Sequence, residues 1–490
     1  MARTTTPKPA RQRDTVDTRP TGPEHAGGDF NARGRAALKD EFLHDSLAMA
    51  QTRLAGSRTA TLAALPDAPE LRERAYAIKQ DVIAHLDTYL ERLADAVERA
   101  SGHVHFASDG ADAITYISGI VARRGPRTIV KSKSMATEEI ELNHRLEELH
   151  PGLEIVETDL GEWIIQLRGE PPSHIIAPAV HLNRFQVAET FSQVAGEPVP
   201  PDVEDLMQFA RRRLRQKFLA AEIGISGANF AIAETGTIVM VTNEGNGRLV
   251  TSLPPVHIAV VGIEKLLPRV ADLSVFLQLL ARSGTGQKLT VFTNLITGPR
   301  RPGESDGPEE FHLVLLDNGR SQILGTEFDE ALYCIRCGAC LNVCPVYRQV
   351  GGHVYGSTYS GPIGAVITPL LKGDAAAKDL PNASSLCGAC WEACPVGIPL
   401  HDLLLKLRNR ETREGLAGRD QSLLFAGFAQ AMAHPAAYRL GAAAGRIAQA
   451  PFISAGSIRR APRPADRWTG TRDLPPIAGA SFRDRWKEGI

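Results

Sequence analysis

Seven cysteines are the residues whose spacing points most directly to chemistry, and all seven fall between Cys334 and Cys394. The first four follow the pattern Cys-x2-Cys-x2-Cys-x3-Cys-Pro, and the last three follow Cys-x2-Cys-x3-Cys-Pro. Thiolates at these spacings wrap an iron–sulfur cubane, and in two-cluster ferredoxins the fourth Cys of such a run ligates the other cluster. An odd number of cysteines in a large chain argues against disulfides. The spacing therefore predicts two iron–sulfur clusters.

Crossed ligation of this kind divides the cysteines into two sets of ligands. The four thiolates predicted for the first [4Fe–4S] cluster are those of Cys334, Cys337, Cys340 and Cys394, and the three predicted for the second are those of Cys344, Cys387 and Cys390. Zinc is the main alternative, because paired Cys-x2-Cys units also form tetrahedral sites. A zinc ribbon needs four ligands, but it does not require four closely spaced cysteines that end in Cys-Pro. The pattern therefore favours iron and sulfide.

The second set is one thiolate short. Placing its cysteines on the four-cysteine template puts the missing first ligand at Ser384. A [3Fe–4S] cluster, a [4Fe–4S] cluster with an oxygen or exogenous fourth ligand, and a labile site are all compatible with this. A fourth interpretation is that Ser384 only caps a turn before Cys387 and faces away from the metal. The sequence does not choose among them.

The elements that must position the cysteines follow from the apolar pattern. Short apolar strands alternate with helices before Cys334, which is typical of an α/β domain with a largely parallel sheet. The predicted strands are 103–107, 128–131, 154–158, 174–178, 230–242, 257–262, 289–294 and 312–317. The predicted helices are a long one over 67–102 and shorter ones over 111–122, 137–149, 203–221, 265–281, 361–371 and 401–413. Residues 422–440 are rich in Ala, and ordinary helix packing accounts for them better than a membrane or partner surface.

Polar segments follow several of these strands, where α/β sheets place ligands. They are 131–135 with Glu138 and Glu139, 157–162, 234–237 and 243–248. Turns and helix caps are the more frequent explanation of such segments. No GxGxxG or GxxxxGK[ST] motif follows a strand, so a common dinucleotide or ATP site is not indicated. The histidines at 103, 105, 174, 181 and 257 have no metal-binding spacing, and we expect them to be structural.

Composition narrows the class of protein. A length of 490 residues suggests about three domains. The net charge of −1 offers no basic excess for binding nucleic acid. No run of ~18 apolar residues predicts a membrane-spanning helix, and the polar N-terminus lacks a secretory signal, so we expect a cytoplasmic protein. Residues 1–28 are rich in Thr, Pro, Arg and Gly and are predicted to be a disordered tail.

Taken together, residues 30–490 resemble the lactate-utilisation iron–sulfur protein B family. The stretches that carry the resemblance are KSKSM at 131–135, ETDLGE at 157–162, GISGANFAIAETGT at 224–237, TNEGNGRLV at 242–250, PPVHIAVVGIEK at 254–265, RSGTGQ at 282–287, VLLDNGRS at 314–321 and the cysteine block. The resemblance implies a lactate-utilisation domain over 29–330 with a fold similar to the sugar-isomerase and CoA-transferase superfamily. It further implies an α-helical dicluster ferredoxin module over 331–400 and a helical or extended region over 401–490.

The same resemblance implies a cytoplasmic three-protein system that oxidises L-lactate to pyruvate. This chain would be its electron-carrying subunit, with a cysteine-rich-domain protein and a second lactate-utilisation-domain protein as partners. Oxidising a 2-hydroxy acid releases two electrons, which two clusters can accept in sequence. The chain has no flavin or nicotinamide fingerprint, so the carbon chemistry depends on a partner's cofactor.

Two interpretations of the α/β domain remain. In the first, it binds substrate or cofactor, so that the chain is a non-autonomous subunit of an oxidoreductase complex. In the second, it is a non-catalytic scaffold, and the chain is an adaptor for another 2-hydroxy-acid or quinone-linked oxidoreductase. A polar cleft near a cluster would favour the first. The residues expected to form such a cleft are Lys131, Lys133, Glu157, Glu162 and Glu234.

Overall fold

The computed structural model describes residues 29–416, 418–463, 465–470 and 472–489. The predicted N-terminal tail, 1–28, lies outside the described residues. Two compact units make up the chain, of which the first ends at Arg410 and the second begins at Glu411. None of the helices in the described ranges has the length and apolar character that crossing a membrane requires.

Four helices precede the first strand, and they are α1 (Phe30–Ala37), α2 (Glu41–Ala63), α3 (Ala68–Ala84) and α4 (Leu86–Arg99). The single helix predicted over 67–102 is therefore two helices that meet at His85, where a φ of −127° interrupts the helical backbone. The break separates two apolar surfaces. Ala75 of α3 packs into the core that contains Phe276, whereas Val97 of α4 packs against the main sheet.

Ten strands and eight helices follow. The strands are β1 (His103–Ala107), β2 (Thr128–Lys131), β3 (Glu154–Glu157), β4 (Ile223–Ser226), β5 (Phe230–Ile232), β6 (Thr237–Thr242), β7 (Val256–Gly262), β8 (Leu266–Leu267), β9 (Phe292–Ile296) and β10 (Glu310–Leu316). The helices are α5 (Gly110–Arg124), α6 (Met135–Glu139), α7 (Leu142–Leu149), α8 (Leu160–Arg168), α9 (Arg184–Ala195), α10 (Val203–Ala220), α11 (Asn246–Ser252) and α12 (Val270–Gly284).

Six of these strands form a parallel sheet in the order β1-β10-β7-β4-β2-β3. Both faces of the sheet are covered, as parallel sheets require. Val260 and Val314 pack with α5 on one face, while Val261 and Leu315 pack with α4 on the other. This confirms the predicted α/β class with a parallel sheet.

A second sheet, in the order β8-β5-β6-β9, corrects three of the predictions. The predicted strand 230–242 is an antiparallel hairpin, because Gly236 has a φ of 71° and reverses the chain. The predicted helix 265–281 begins only at Val270, since Leu266 and the residue after it pair with β5. The predicted strand 289–294 begins at Phe292.

Two further predictions are wrong in the same unit. Residues 174–178 form no strand. The predicted helix 137–149 is divided into α6 and α7 by Glu141, whose φ of 53° lies in the left-handed region.

Short helices carry the cysteines and the residues between the two runs. They are α13 (Ala339–Asn342), α14 (Pro345–Val350), α15 (Gly361–Lys372), α16 (Asp374–Ala377), α17 (Ala389–Ala393) and α18 (Leu400–Arg413). The predicted helices 361–371 and 401–413 are confirmed by α15 and α18. The module packs within the first unit, where Leu341 and Ile363 share a core with Phe276 of α12.

Four helices and a short antiparallel strand pair lie within the described residues of the second unit. They are α19 (Arg419–Ala433), α20 (Pro435–Gln449), β11 (Ile453–Ser454), β12 (Ser457–Ile458), α21 (Asp466–Thr469) and α22 (Phe482–Lys487). Many of its large apolar side chains are exposed, including Leu423, Leu424, Phe425, Phe428 and Met432 of α19. The expectation that residues 422–440 are buried by ordinary helix packing is therefore wrong for these side chains.

Candidate metal centre and the polar cavity beside it

The structure brings the seven cysteines into two groups. In the first, the thiols of Cys334, Cys337, Cys340 and Cys394 interact electrostatically with one another. In the second, the same holds for Cys344, Cys387 and Cys390. Cys394 thus interacts with the first run and Cys344 with the second, Cys340 also interacts with Cys390 of the other group, and all seven side chains are free of disulfides. The assignment of these groups to individual clusters remains a prediction.

Backbone N–H groups surround the thiols. The N–H of Arg336 donates to Cys334 Sγ at 3.4 Å, and the N–H of Tyr347 donates to Cys344 Sγ at 3.5 Å. Gly338 has a φ of 76°, and a Cβ there would lie 3.3 Å from the ring of His174. A cluster's sulfur atoms accept hydrogen bonds of this kind. The donor set and its cradle therefore fit an iron–sulfur group.

Burial governs the protonation of the thiols. Burial raises the pKa of both Cys337 and Cys390 to about 12, so that metal binding must displace their protons. Within the described ranges, no three His, Cys, Asp or Glu side chains are placed to share one metal ion.

Ser384 occupies a turn that matches the turn at Cys334. The N–H of Leu386 donates to Ser384 Oγ at 3.1 Å, just as the N–H of Arg336 donates to Cys334 Sγ. The residues that donate have φ values of 54° and 58°. The hydroxyl of Ser384 therefore takes the position in its turn that the Cys334 thiol takes in the other.

Two N-terminal helices hold both cysteine runs through side-chain to backbone hydrogen bonds. Gln51 of α2 donates to the carbonyl of Leu341 at 2.6 Å. Arg72 of α3 donates to the carbonyls of Cys394 at 2.8 Å and Trp391 at 2.7 Å. No motif in the sequence marks Gln51 or Arg72, because their partners lie about 300 residues away in the chain.

A buried ion network joins the sheet to the first cysteine run. Arg320 donates to both carboxylate oxygens of Glu139 at 2.8 Å and to Glu264 at 2.7 Å. Arg336 lies 3.3 Å from the other oxygen of Glu264, and its guanidinium stacks 4.5 Å from the ring centre of Tyr359. Burial alone would raise the pKa of Glu264, but the two guanidiniums hold it at about 2.

A cavity of about 320 Å³ opens at the carboxyl ends of β2, β4 and β7 and reaches the first cysteine run. Its wall includes Ser132, Lys133, Asn246, Lys265, Arg336 and Cys337. Four buried atoms on this wall lack a hydrogen-bond partner in the part of the chain that the structure describes. They are Ser132 Oγ, Lys133 Nζ, Asn246 Oδ1 and Arg336 Nη1. The cavity therefore has unused hydrogen-bonding capacity on a cationic wall.

The polar segments singled out from the sequence have different fates. Segments 131–135, 157–162 and 243–248 each contribute to the cavity wall, whereas 234–237 forms the turn of the β5–β6 hairpin and does not. Glu234 is correspondingly remote from the cavity and accepts from the N–H of Val270 at 2.9 Å. The expectation that all five charged residues form one cleft is therefore wrong, because Glu234 is not part of it.

The other four residues of that expected cleft form two buried pairs beside the cavity. Lys131 Nζ lies 2.7 Å from Glu157, and Lys133 Nζ lies 3.2 Å from Glu162. Of the four, only Lys133 lines the cavity. Burial raises the pKa of Glu162 to about 7, against the opposing attraction of Lys133.

His174 illustrates how the structure uses the histidines. Its Nδ1 accepts from the N–H of Ile176 at 3.1 Å, so its Nε2 donates to Asn342 Oδ1 at 3.0 Å. Burial lowers the pKa of His174 to about 4, which keeps the ring neutral. The ring is therefore a structural bridge between the loop after α8 and α13, as expected.

Comparisons with known proteins agree with this organisation. Residues 90–316 match the LUD domain, residues 330–398 match the 4Fe-4S dicluster domain, and residues 408–489 match the C-terminal region of lactate utilisation protein B. A "Lactate utilization protein B" of Bacillus licheniformis is 50% identical over 461 residues, which are 94% of this chain and 96% of that protein. The protein of the same name from Shouchella clausii is 48% identical over 465 residues, or 94% of this chain and 98% of that one.

A solved structure of a DUF162 family protein from Deinococcus radiodurans is 14% identical and covers 47% of this chain and 98% of its own. Its TM-score of 0.25 is too low to support any statement about the fold.

Proposed function

Since this chain belongs to the lactate utilisation protein B family, we propose that it is the iron–sulfur electron-transfer subunit of a complex that oxidises L-lactate to pyruvate. The observation that carries the proposal is the pair of cysteine groups within the dicluster segment, with Cys337 on the wall of a polar cavity. Bound iron–sulfur clusters would take up and release electrons one at a time.

We assign the cysteines as the spacing predicts. Cys334, Cys337, Cys340 and Cys394 would hold one [4Fe–4S] cluster, and Cys344, Cys387 and Cys390 would hold the second. The electrostatic grouping of the thiols supports this crossed assignment. The matching turns at Cys334 and Ser384 support Ser384 as the fourth position of the second cluster.

The surroundings of the two groups suit different tasks. Cys337 lines the cavity within the first unit, whereas Cys387 is exposed to solvent and Trp391 beside it is 42% exposed. Cys387 is thus the exposed thiol among the seven, whereas the cysteines of the first group are buried or half-buried. We propose that an external electron acceptor approaches at Cys387.

Partners follow from the family and from the second unit. We propose two other lactate-utilisation subunits, a cysteine-rich-domain protein and a second protein with a lactate-utilisation domain. The exposed apolar side chains of α19 support a protein partner, because isolated soluble proteins rarely expose contiguous apolar surface. The chain itself would be a non-autonomous subunit, which makes the cofactor for carbon chemistry the task of a partner.

The finer divisions of the chain also remain proposals. We propose an α/β domain over 29–330, related in fold to the sugar-isomerase and CoA-transferase superfamily. A helical dicluster module over 331–400 and a C-terminal region over 401–490 would follow it. A cytoplasmic location is likewise an expectation from the sequence.

An adaptor with a non-catalytic α/β domain is the alternative function. It predicts that the space between the α/β domain and the cysteines is filled. The open cavity beside Cys337, with four unpartnered buried polar atoms, favours the first proposal instead.

Anaerobic reconstitution of the three proteins tests the proposal. Adding L-lactate should reduce the clusters of this chain, as followed by EPR, and omitting either partner should abolish the reduction. The chain with Cys337→Ser is the matched control, because the partners and their cofactors are then unchanged. Oxidation of L-lactate at the full rate by a complex in which this chain lacks its clusters would contradict the assignment. So would a complete complex whose clusters L-lactate does not reduce.

A further inference from the structure

The cavity beside Cys337 is built as a binding site rather than as a packing defect. Ser132 and Arg336 are only 3% and 8% exposed, yet each directs an unpartnered polar atom to its wall. Buried polar groups are normally paired, because an unpaired one loses its hydrogen bonds to water without replacing them. A polar ligand would supply the missing partners.

Two of the four unsatisfied groups are positively charged hydrogen-bond donors. Lys133 Nζ lies 3.2 Å from Glu162 but without hydrogen-bond geometry, and it faces the cavity. Lys265 also lines the wall and makes no hydrogen bond or ion pair with any described residue. Its electrostatic neighbours include Arg336, which repels it, and Glu264 and Cys334, which attract it when they are ionised. Its ammonium group is therefore available to a bound anion.

Three acidic side chains lie on the same wall, and each has a partner. Glu264 accepts from Arg320 and lies against Arg336. Asp159 and Glu244 each accept from a backbone N–H at the start of α8, and burial raises the pKa of Glu244 to about 7. The unpartnered cationic atoms on the wall are therefore left to attract a bound anion.

We propose that this cavity binds a small carboxylate of the 2-hydroxy- or 2-oxo-acid class through Lys133, Lys265 and Arg336, next to Cys337. The proposal rests on the proposed function, to which it adds a substrate-class site on this chain. A carboxylate would satisfy the cations, the hydroxyl of Ser132 on the same wall could donate to a keto oxygen, and Asn246 Oδ1 could accept from a hydroxyl group.

A nucleotide or flavin fits the cavity less well. Tyr359 is the one aromatic side chain on the wall among the described residues, and the Arg336 guanidinium already covers its ring at 4.5 Å. No stacking platform is therefore left for a base or an isoalloxazine ring. A volume of about 320 Å³ is near the lower limit of ligand pockets and accommodates a small acid with water.

Titration calorimetry of the anaerobic, iron-loaded full-length chain tests the proposal, with pyruvate and the unreactive oxamate as probes. We expect both to bind, and Lys133→Gln and Lys265→Gln each to weaken binding at least tenfold, with partial rescue by Lys133→Arg. Lys39→Gln is the matched control, because Lys39 is an exposed lysine remote from the cavity wall. Iron content should be unchanged in every variant.

A second readout locates the probe. Oxamate should perturb the EPR spectrum of the first cluster in wild type and should leave it unchanged in Lys133→Gln. Absence of binding, or equal binding by Lys133→Gln and Lys265→Gln, overturns the proposal. Inorganic phosphate binding as tightly as pyruvate overturns the carboxylate class. If lactate still reduces the reconstituted complex in any of these cases, the proposed electron-transfer function survives while the site on this chain does not.

Discussion

Arg336 in the first cysteine run and Leu386 in the second occupy the same place in the same turn. Both have a left-handed backbone, and both donate an N–H to the side chain two residues earlier, which is a thiol in one run and a hydroxyl in the other. Their surroundings differ. Arg336 is buried in an ion network at the cavity, whereas Leu386 is only partly buried and precedes the exposed Cys387. One local backbone design thus serves two electrostatic environments.

Removing one thiolate from each run should have the largest effect. Anaerobic wild-type protein should contain ~7–8 Fe per chain with matching sulfide, where the lower value allows a [3Fe–4S] second site. Cys337→Ser should abolish the first cluster's EPR signal and lower the melting temperature, because the first group is linked to folding of the unit around it. Cys387→Ser, at the exposed end, should abolish only the second signal with a smaller loss of stability. Zinc in place of iron in wild type would contradict the assignment.

Ser384→Cys should make the two runs alike. A fourth thiolate adds negative charge, so the potential of the second cluster should fall while the first is unchanged. Redox-titrated EPR measures both potentials, and two resolvable transitions are expected in wild type. Ser385→Cys is the matched control, because it adds a thiol one residue out of register. Identical spectra for wild type and Ser384→Cys would mean that Ser384 only caps its turn.

Changing the charge at Arg336 or at Leu386, which occupy the same place in their turns, should shift the reduction potential of the nearer cluster only. Arg336→Gln removes a cation next to the first cysteine run and should lower the potential of the first cluster. At an effective dielectric of about 20, a unit charge roughly 10 Å away contributes on the order of 1–2 kcal/mol, which corresponds to tens of millivolts. Leu386→Arg should raise the potential of the second cluster by a similar amount. Equal shifts of both clusters in either variant would contradict the separation of the two environments.

The free energy of unfolding should depend on pH through Glu162 beside the cavity, and not through the exposed carboxylate beside the second cysteine run. The pKa of Glu162 is raised by burial to about 7, with Lys133 lowering it and Glu138, Glu157 and Asp159 raising it. A carboxyl whose pKa is higher in the folded than in the unfolded chain lowers the free energy of unfolding as pH rises from about 4.5 to about 7. Above the folded pKa the loss levels off.

Glu162→Gln should therefore gain stability relative to wild type by on the order of 1 kcal/mol between pH 6 and pH 8. Denaturation of the anaerobic holoprotein at both pH values measures this. Glu392→Gln, at an exposed carboxylate beside the second run, should track wild type at both. An unchanged difference between Glu162→Gln and wild type would show that Glu162 does not titrate in this range.

Several errors of the sequence interpretation share one physical cause. The break at His85, the start of α12 at Val270 and the hairpin within 230–242 all arise where a segment meets two different cores or a pairing strand. Local apolar periodicity reports that a segment is buried, but it does not report against what. The absence of Glu234 from the cavity has the same origin, since its turn belongs to the second sheet.

The candidate ligands could be predicted from the chain alone, because the seven cysteines and Ser384 stand at short spacings that turns enforce locally. The alternation of parallel strands and helices could also be predicted, because it follows from the periodicity of buried residues. The surroundings of the cysteines, in contrast, follow from long-range packing. Gln51, Arg72 and Glu264 reach them from about 70 to 320 residues away, and the cavity exists only where the sheet, α12 and the first cysteine run meet. Such contacts depend on how elements pack, and packing leaves no fixed spacing in the chain.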